Sequence, residues 1–367
     1  MKLAICIILV VLAICPEAVK AQEVFSCDSV SEIPPLECEA LVALYTSTNG
    51  AGWQISTNWL ITDTPSNWYG ISLFEGHVSW ISLYSNNLTG PLPVEIGNLT
   101  GLKVAYLDSN QLSGSIPSTL GNLSNLQRIY LSGNQLTGSI PPELGNLSNL
   151  IMLVLYDNQL TGNIPSELGN LSSIWHLYLY DNQLTGSIPP ELGSLSTLQN
   201  LGLHNNQLTG NIPATFGNLT DLQSLLAYNN VLSGSIPAEL GNLSHLYALD
   251  LFNNQFSGMI PPELGNLSNL SRLSLDNNHL SGSIPETLGS LSKLSGLYLH
   301  NNYLSGAIPL SFINLTELNQ FTFYNTYLCE PTEPEFLSWK GTVWMMWSGT
   351  NQTCPFMHYI YLPLVLR

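Results

Sequence analysis

The side chains that could carry chemistry in this chain are few and scattered. His176 and His204 are 28 residues apart, which is one 24-residue period of the sequence plus four positions. On adjacent extended strands this offset separates the two rings by ~13 Å, which is too far for a shared metal ion. The chain has no G-x-S-x-G elbow, no H-E-x-x-H pair and no phosphate-cradling glycine loop. We therefore expect no catalytic residue, no metal site and no cofactor.

The cysteines favour structural bridges over nucleophilic chemistry. Two of the six lie in the first 21 residues, and the others are Cys27, Cys38, Cys329 and Cys354. An even number of cysteines, grouped at the two ends of an exported chain, predicts Cys27–Cys38 and Cys329–Cys354 disulfides. A four-cysteine zinc site would require the two ends of a long rod to meet, so we reject it.

The acidic charge balance argues against nucleic acids and anionic lipids as partners. Eight lysines and arginines stand against 25 aspartates and glutamates, which gives a formal net charge of −17. Such a surface repels nucleic-acid phosphates and anionic lipids. No apolar run reaches the ~20 residues of a transmembrane helix. We expect neither a nucleic-acid partner nor a transmembrane segment.

A 24-residue unit, clearest over residues 150–173, organises most of the chain. Its asparagine recurs at Asn86, Asn110, Asn134, Asn158, Asn182, Asn206, Asn230, Asn254, Asn278 and Asn302, and Thr326 stands at that place in a degenerate eleventh unit. Self-similarity at this period is typical of a solenoid, in which each unit buries its apolar side against its neighbours. Alternating residues such as Leu153 and Leu155 predict a short strand, and the asparagine can bond backbone groups of its own and adjacent coils.

The pattern L-x-x-L-x-L-x-x-N-x-L-x-G-x-I-P resembles the leucine-rich repeat of plant receptor ectodomains. The resemblance implies an α/β repeat fold: a solenoid with a parallel β-sheet on the concave face and short helical or 3-10 turns on the convex side. Helical N- and C-terminal caps are expected at its two ends. Residues 38–70, with three tryptophans, resemble the cap of secreted members, and residues 328–354 resemble the C-terminal cap of bacterial ones.

The predicted segments follow from this comparison. Residues 1–21 read as a secretory signal peptide, with Lys2 before an apolar run. Residues 22–76 are predicted as the N-terminal cap, 77–326 as ten regular repeats plus the degenerate eleventh, and 327–357 as the C-terminal cap with a short helix within 334–347. The apolar tail, 358–367, resembles a terminal signature of exported bacterial proteins; a strand that completes the cap is the alternative.

Three outward-facing columns of the predicted concave sheet vary between repeats and could hold a ligand. Tyrosine offers a large contact area with a polar tip, although it also favours strands in the absence of any ligand. We expect the aromatic residues of these columns to be exposed and clustered. The candidate ligand-binding residues are Tyr106, Arg128, Tyr130, Tyr156, His176, Tyr178, Tyr180, His204, Tyr228, Asp250 and Phe252.

These observations favour a secreted or surface-attached, non-catalytic module that binds an extracellular protein or peptide. Polysaccharide or cell-wall binding stays open, because aromatic faces stack on sugar rings. Resemblance to plant inhibitors of pectin-degrading enzymes adds inhibition of a secreted glycosidase. A rigid adhesin or spacer without a specific partner is the plainest alternative.

Overall fold

The computed structural model describes residues 25–343 and 346–354. The predicted signal peptide and the tail at 358–367 lie outside these residues. In the described part, thirteen strands form one sheet, parallel except for its first antiparallel pair. The strands are Ile71–Phe74, His77–Ser82, Val104–Tyr106, Arg128–Tyr130, Met152–Val154, His176–Tyr178, Asn200–Gly202, Ser224–Leu226, Ala248–Asp250, Arg272–Ser274, Gly296–Tyr298, Gln320–Thr322 and Met346–Ser348. The predicted solenoid fold class is therefore confirmed.

The core is a column of leucines that point inward from every coil. Leu153 and Leu155 are fully buried, as are Leu168 and Leu171 on the return side. The predicted role of the asparagines is confirmed by Asn158, whose Nδ2 donates to the carbonyls of Leu131 and Leu155. Each such side chain therefore supplies the backbone partners that a buried turn needs.

Beyond the asparagine, each coil makes a second short strand and then a 3-10 turn. Gly162 allows the path between them, because its backbone has φ +75°, which favours glycine. The second strands are Thr89–Pro91, Gln111–Ser115, Gln135–Thr137, Thr161–Asn163, Gln183–Thr185, Thr209–Gly210, Val231–Gly234, Gln255–Gly258, His279–Gly282, Tyr303–Ala307 and Tyr327–Cys329. The convex turns are Val94–Asn98, Ser118–Asn122, Pro142–Asn146, Ser166–Asn170, Pro190–Ser194, Ala214–Asn218, Ala238–Asn242, Pro262–Asn266, Glu286–Ser290 and Leu310–Asn314.

The N-terminal end is covered by a helix, Pro35–Ser47, and by buried tryptophans. Trp59 and Trp68 are each 1% exposed and their rings lie 5.0 Å apart, so they close the apolar end of the first coil. Short 3-10 turns at Cys27–Ser29, Gly50–Gly52 and Pro65–Asn67 connect these parts.

At the C-terminal end the expectation of a capping helix within 334–347 was only partly right. The helix is Pro334–Lys340, and Leu337 in it is exposed. Trp347 lies instead on the last strand, which pairs with Gln320–Thr322, and its ring packs edge-on against Phe321. The end of the sheet is thus covered by a further strand.

Disulfides join Cys27 to Cys38 and Cys329 to Cys354. Each closes a loop within one cap, and none crosses the repeats. The two ends of the rod are therefore tied down independently.

Candidate functional site

The in-register sheet brings all eleven candidate residues onto one concave surface. His176, for example, pairs with Met152 on one side and Asn200 on the other, so equivalent positions form columns. Nine of the eleven are half-buried. The expectation of exposure was wrong for His204 and Asp250, which are only 7% and 3% exposed. His204 is covered by two tyrosine rings, and Asp250 lies against an arginine.

Five rings of one column stack continuously on each other. Tyr156 and Tyr180 lie 4.4 Å apart between centroids, Tyr180 and His204 4.2 Å, His204 and Tyr228 4.3 Å, and Tyr228 and Phe252 4.3 Å. Their interplanar angles are 6°, 13°, 18° and 9°. We call these residues the central stack. Within it, ring faces are covered by neighbouring rings, so the edges and phenol hydroxyls are what a ligand meets.

His204 is the polar member of the central stack. Its Nδ1 is buried and has no hydrogen-bond partner in the part of the chain that the structure describes. Burial lowers the pKa of His204, and the charge of Asp181 offsets this only in part. The imidazole is therefore neutral at pH 7, which suits a ring packed between two tyrosines and cut off from water.

The N-terminal part of the concave face carries a looser aromatic group. The Trp80 and Tyr106 rings lie 5.4 Å apart and the Tyr106 and Tyr130 rings 4.7 Å apart, tilted by 58° and 43°. Burial is the main cause that raises the pKa of Tyr130. Next to this group, His176 Nδ1 lies 2.9 Å from Asn200 Nδ2, and burial lowers the pKa of His176.

Around and beyond Phe252 the outward columns hold a charged group, and of its members only Asp250 is among the eleven candidate residues. Arg272 Nε donates to Asp250 Oδ1 at 2.9 Å, and its Nη2 lies 2.5 Å from Oδ2. His300 Nε2 lies 3.4 Å from Asp276 Oδ2, while its Nδ1 lies 2.8 Å from Thr322 Oγ1. Burial raises the pKa of both aspartates and lowers that of His300.

This charged group borders a depression of about 270 Å³. It is lined by Asp250, Phe252, Arg272, Ser274, Asp276, Tyr298 and His300. The outward columns held a signal for it, because Asp276 is a carboxylate in an otherwise aromatic run and Arg272 is one of only eight basic residues. Trp175 and Tyr247 were missed too. They are 44% and 46% exposed and lie one position before the strands, outside the three columns.

A second regular surface lies on the flank, along the second strands. Its hydroxyl column contains four successive threonines, Thr137, Thr161, Thr185 and Thr209, and continues as serines. None of these four hydroxyls makes a side-chain hydrogen bond within the described residues. The next outward column is exposed throughout: Ser115, Ser139, Asn163, Ser187, Asn211, Ser235, Met259, Ser283 and Ala307.

Neither a metal cluster nor a membrane helix is present in the described part of the chain. Over residues 25–343 and 346–354, no three histidine, cysteine or acidic side chains are placed to hold a metal ion. No helix there is long and apolar enough to cross a bilayer.

Comparison with protein families gives two matches. The family described as "Leucine-rich repeat region" matches residues 159–338. The family described as "Leucine Rich Repeat" matches residues 77–99, 101–123 and 125–147. Together these matches cover about two thirds of the chain. No curated protein sequence matches it.

Solved structures of plant proteins are similar over most of the chain. The plant peptide hormone receptor RGFR1, in complex with RGF2, is 37% identical with a TM-score of 0.65, over 71% of this chain and 45% of that one. The Arabidopsis receptor kinase HAESA, in complex with the peptide hormone IDA and the co-receptor SERK1, is 32% identical with a TM-score of 0.62, over 80% and 54%. A plant ice-binding protein is 27% identical with a TM-score of 0.66, over 82% and 96%. The chain thus spans about half the length of the two receptors.

Proposed function

Because the chain belongs to the leucine-rich repeat proteins, we propose that it is an extracellular, non-catalytic module that binds a protein or peptide through its concave sheet. The module is secreted or attached to the cell surface. Two similar structures are receptors in complex with peptide hormones, and the two disulfides suit an oxidising compartment.

The central stack is the observation that carries this proposal. Five rings held at 4.2–4.4 Å by their neighbours are already ordered before a ligand arrives. Pre-ordered aromatic side chains reduce the entropy lost on binding, and tyrosine is enriched at the energetic centres of protein interfaces. The rim of hydroxyls can donate to and accept from a peptide backbone.

The same geometry disfavours a polysaccharide at this place. A sugar ring binds to the open face of an aromatic side chain. In the central stack, Tyr180, His204 and Tyr228 have both faces covered by the adjacent rings. A glycan would have to displace ring–ring contacts worth about 0.5–1.5 kcal/mol each. A protein or peptide can use the ring edges and hydroxyls without such a loss.

Peptide-display panning with counter-selection tests the proposal. The bait is the wild-type protein, and the counter-bait is the Tyr180→Ala/Tyr228→Ala variant. The matched control is Tyr303→Ala/Tyr327→Ala, which removes two tyrosines that are 54% and 68% exposed off the concave face. We expect enriched peptides to lose about 30-fold in affinity for the stack variant, or about 2 kcal/mol, and to bind the control variant normally.

The reverse pattern would contradict the proposal. If peptides enrich equally on all three proteins, the concave stack is not the site. If no peptide enriches while members of a polysaccharide panel bind, the glycan alternative replaces it.

Ice binding is a second candidate, favoured by the hydroxyl column on the flank. A threonine recurs at the same place in four successive coils, and the strand register sets each beside the outward column of the preceding coil, with Thr185 opposite Asn163 and Thr209 opposite Ser187. Neighbouring strands lie about 4.8 Å apart. A crystal surface offers a ligand with fixed periodicity, which a rigid array can match over many weak contacts. The similar plant ice-binding protein is covered over 96% of its length.

Growth of ice grains in frozen sucrose solution tests this second candidate. We expect wild type to slow grain growth and Thr161→Tyr/Thr185→Tyr, which raises two bulky rings above the array, to lose the effect. The central-stack variant Tyr180→Ala/Tyr228→Ala serves as the control and should behave as wild type. Grain growth unaffected by wild-type protein would rule the candidate out.

A further inference from the structure

From Tyr156 onward, the aromatic column of the concave face is interrupted at one position. It runs Tyr156, Tyr180, His204, Tyr228, Phe252, Asp276, His300 and Tyr324, so seven rings share it with one carboxylate. The His300 and Tyr324 rings resume the stacking, 4.4 Å apart and 22° from parallel. Phe252 and His300 are two strand spacings apart, or about 9.6 Å. One ring is missing between two aromatic faces.

The gap is open space with a carboxylate at its base. An aspartate side chain is shorter than a phenol or imidazole, and the depression of about 270 Å³ includes Phe252, Asp276 and His300 in its lining. Successive rings elsewhere in the column lie 4.2–4.4 Å apart. A flat group at the level of Asp276 would therefore lie one ordinary stacking step from each ring.

Burial raises the pKa of Asp276, and the groups around the gap leave this carboxyl without a cationic partner. Arg272 is bound through two nitrogens to Asp250, so that pair is neutral. The burial that lowers the pKa of His300 keeps its imidazole uncharged at pH 7. Asp276 is 7% exposed, and both its Asn277 Nδ2 contact at 2.7 Å and its His300 contact go to Oδ2. Among the described residues, no side chain donates a hydrogen bond to its Oδ1.

We propose that this gap, the Asp276 slot, binds the guanidinium group of an arginine side chain of the protein or peptide partner. The inference rests on the proposed function of the concave face. Guanidinium is planar, stacks on aromatic faces and pairs with carboxylates through parallel N–H donors. Between Phe252 and His300 it would fill the missing place in the stack and balance Asp276. A lysine ammonium is a compact, strongly hydrated charge, and it stacks on an aromatic face less well than the planar guanidinium does.

Short peptides of known structure test the slot without the natural partner. The probes are acetyl-Gly-Arg-Gly-amide and its lysine and citrulline counterparts, where citrulline keeps the planar shape but lacks the charge. The full chain, with ¹³C-labelled histidine rings, is titrated with each probe by NMR. The His300 resonance reports on the slot, and that of His204, inside the central stack, is the internal control.

Two substitutions at the slot and one elsewhere complete the design. Asp276→Asn removes the charge at constant size, Asp276→Tyr fills the gap with a ring, and Asp157→Asn removes an exposed charge outside it. We expect the arginine peptide to shift His300 saturably, with an affinity at least about tenfold above both other peptides. Asp276→Asn should lose at least about tenfold, Asp276→Tyr should abolish binding, and Asp157→Asn should change it less than about twofold.

Several results would overturn the proposal: no saturable shift of His300, equal binding of the citrulline or lysine peptide, or undiminished binding to Asp276→Tyr. Failure here is distinct from failure of the proposed function. If display peptides depend on Tyr180 and Tyr228 while the arginine probe does not bind, only the slot is wrong. If the arginine probe binds but no display peptide needs the central stack, only the broader proposal is wrong.

Discussion

Replacing one ladder asparagine, Asn206→Ala, should destabilise the solenoid by an amount that its hydrogen bonds define. The Nδ2 of Asn206 donates to the carbonyls of Leu179, Leu203 and His204 at 3.0, 3.1 and 3.2 Å, and Oδ1 accepts from the Leu184 amide at 3.0 Å. Counting all four as equally lost would overstate the cost. The cost depends on which of these backbone groups keep another hydrogen-bond partner after the substitution.

The three carbonyls keep other donors. Leu179 O also accepts from Asn182, Leu203 O from Asn230, and His204 O from the Asp181 amide. Only the Leu184 amide loses its side-chain acceptor outright. An unsatisfied buried amide costs about 1–3 kcal/mol, and the three shared bonds add about 1 kcal/mol or more together. We expect a total of about 2–4 kcal/mol.

The degenerate repeat supplies a graded variant. At the equivalent position, Thr326 Oγ1 donates to Phe323 O at 2.6 Å and lies 3.3 Å from the Leu328 amide. Asn206→Thr should therefore keep the donor contact to Leu203 O and lose somewhat less than Asn206→Ala, although its hydroxyl would face the Leu208 amide and not that of Leu184. Gln207→Ala, at an exposed neighbour, should stay within about 0.5 kcal/mol of wild type.

Urea unfolding followed by circular dichroism measures the free energy of unfolding of each variant. Hydrogen exchange at the Leu184 amide measures the local effect of losing the side-chain acceptor. Exchange at that amide should accelerate in both Asn206→Ala and Asn206→Thr, because neither new side chain accepts from it. The reasoning is refuted if Asn206→Ala matches Gln207→Ala in stability, or if exchange at Leu184 is unchanged.

Further predictions concern pH, the caps and the concave packing. The pKa of folded His204 is lowered from 6.5, so its contribution to stability is present above that value and lost as the pH falls below it; His204→Phe should reduce the fall in stability between pH 7.5 and 5.5, measured by urea unfolding. Removing the first disulfide as Cys27→Ala/Cys38→Ala should cost about 2–4 kcal/mol, measured by urea unfolding against the oxidised, disulfide-bonded wild type. Trp59→Ala should cost about 3–5 kcal/mol, seen as early loss of the N-terminal coils in hydrogen exchange. A Cβ at Gly202 would lie 3.0 Å from Tyr180 Cδ1 and 3.2 Å from Tyr178 Cδ1, so Gly202→Ala should shift both rings and change the near-ultraviolet dichroism of tyrosine, at a cost of about 1 kcal/mol.

Much of the fold could be predicted because the repeat specifies it locally. Leucine at every second position and one asparagine per coil determine the sheet, the core and the turn bonds seen at Asn158. The structure of the two ends was harder to predict, because their sequences do not recur and each element is indicated only once. The first strand, Ile71–Phe74, pairs antiparallel with His77–Ser82 through the turn at Glu75 and Gly76, both with positive φ, and was missed.

The sequence identified which residues share the candidate site, but it did not predict how their side chains pack. Periodicity places Tyr180, His204 and Tyr228 in one column, whereas their side-chain torsions decide whether the rings face the solvent or each other. At a strand spacing of about 4.8 Å, rings that tilt slightly reach contact, so burying their faces is favoured over leaving them wet. This is why His204 is buried where a surface histidine was expected.

The self-stacking of this column has a consequence for recognition. Where consecutive repeats carry rings, the faces are used within the protein, and the column offers edges and hydroxyls that differ little from coil to coil. A ring face becomes available only where the run of rings is interrupted or ends. Phe252 and His300 have such faces, on the two sides of Asp276, and there the aromatic surface coincides with a buried charge. A charged contact is therefore expected at Asp276, beside the rigid surface of ring edges and hydroxyls that the central stack supplies.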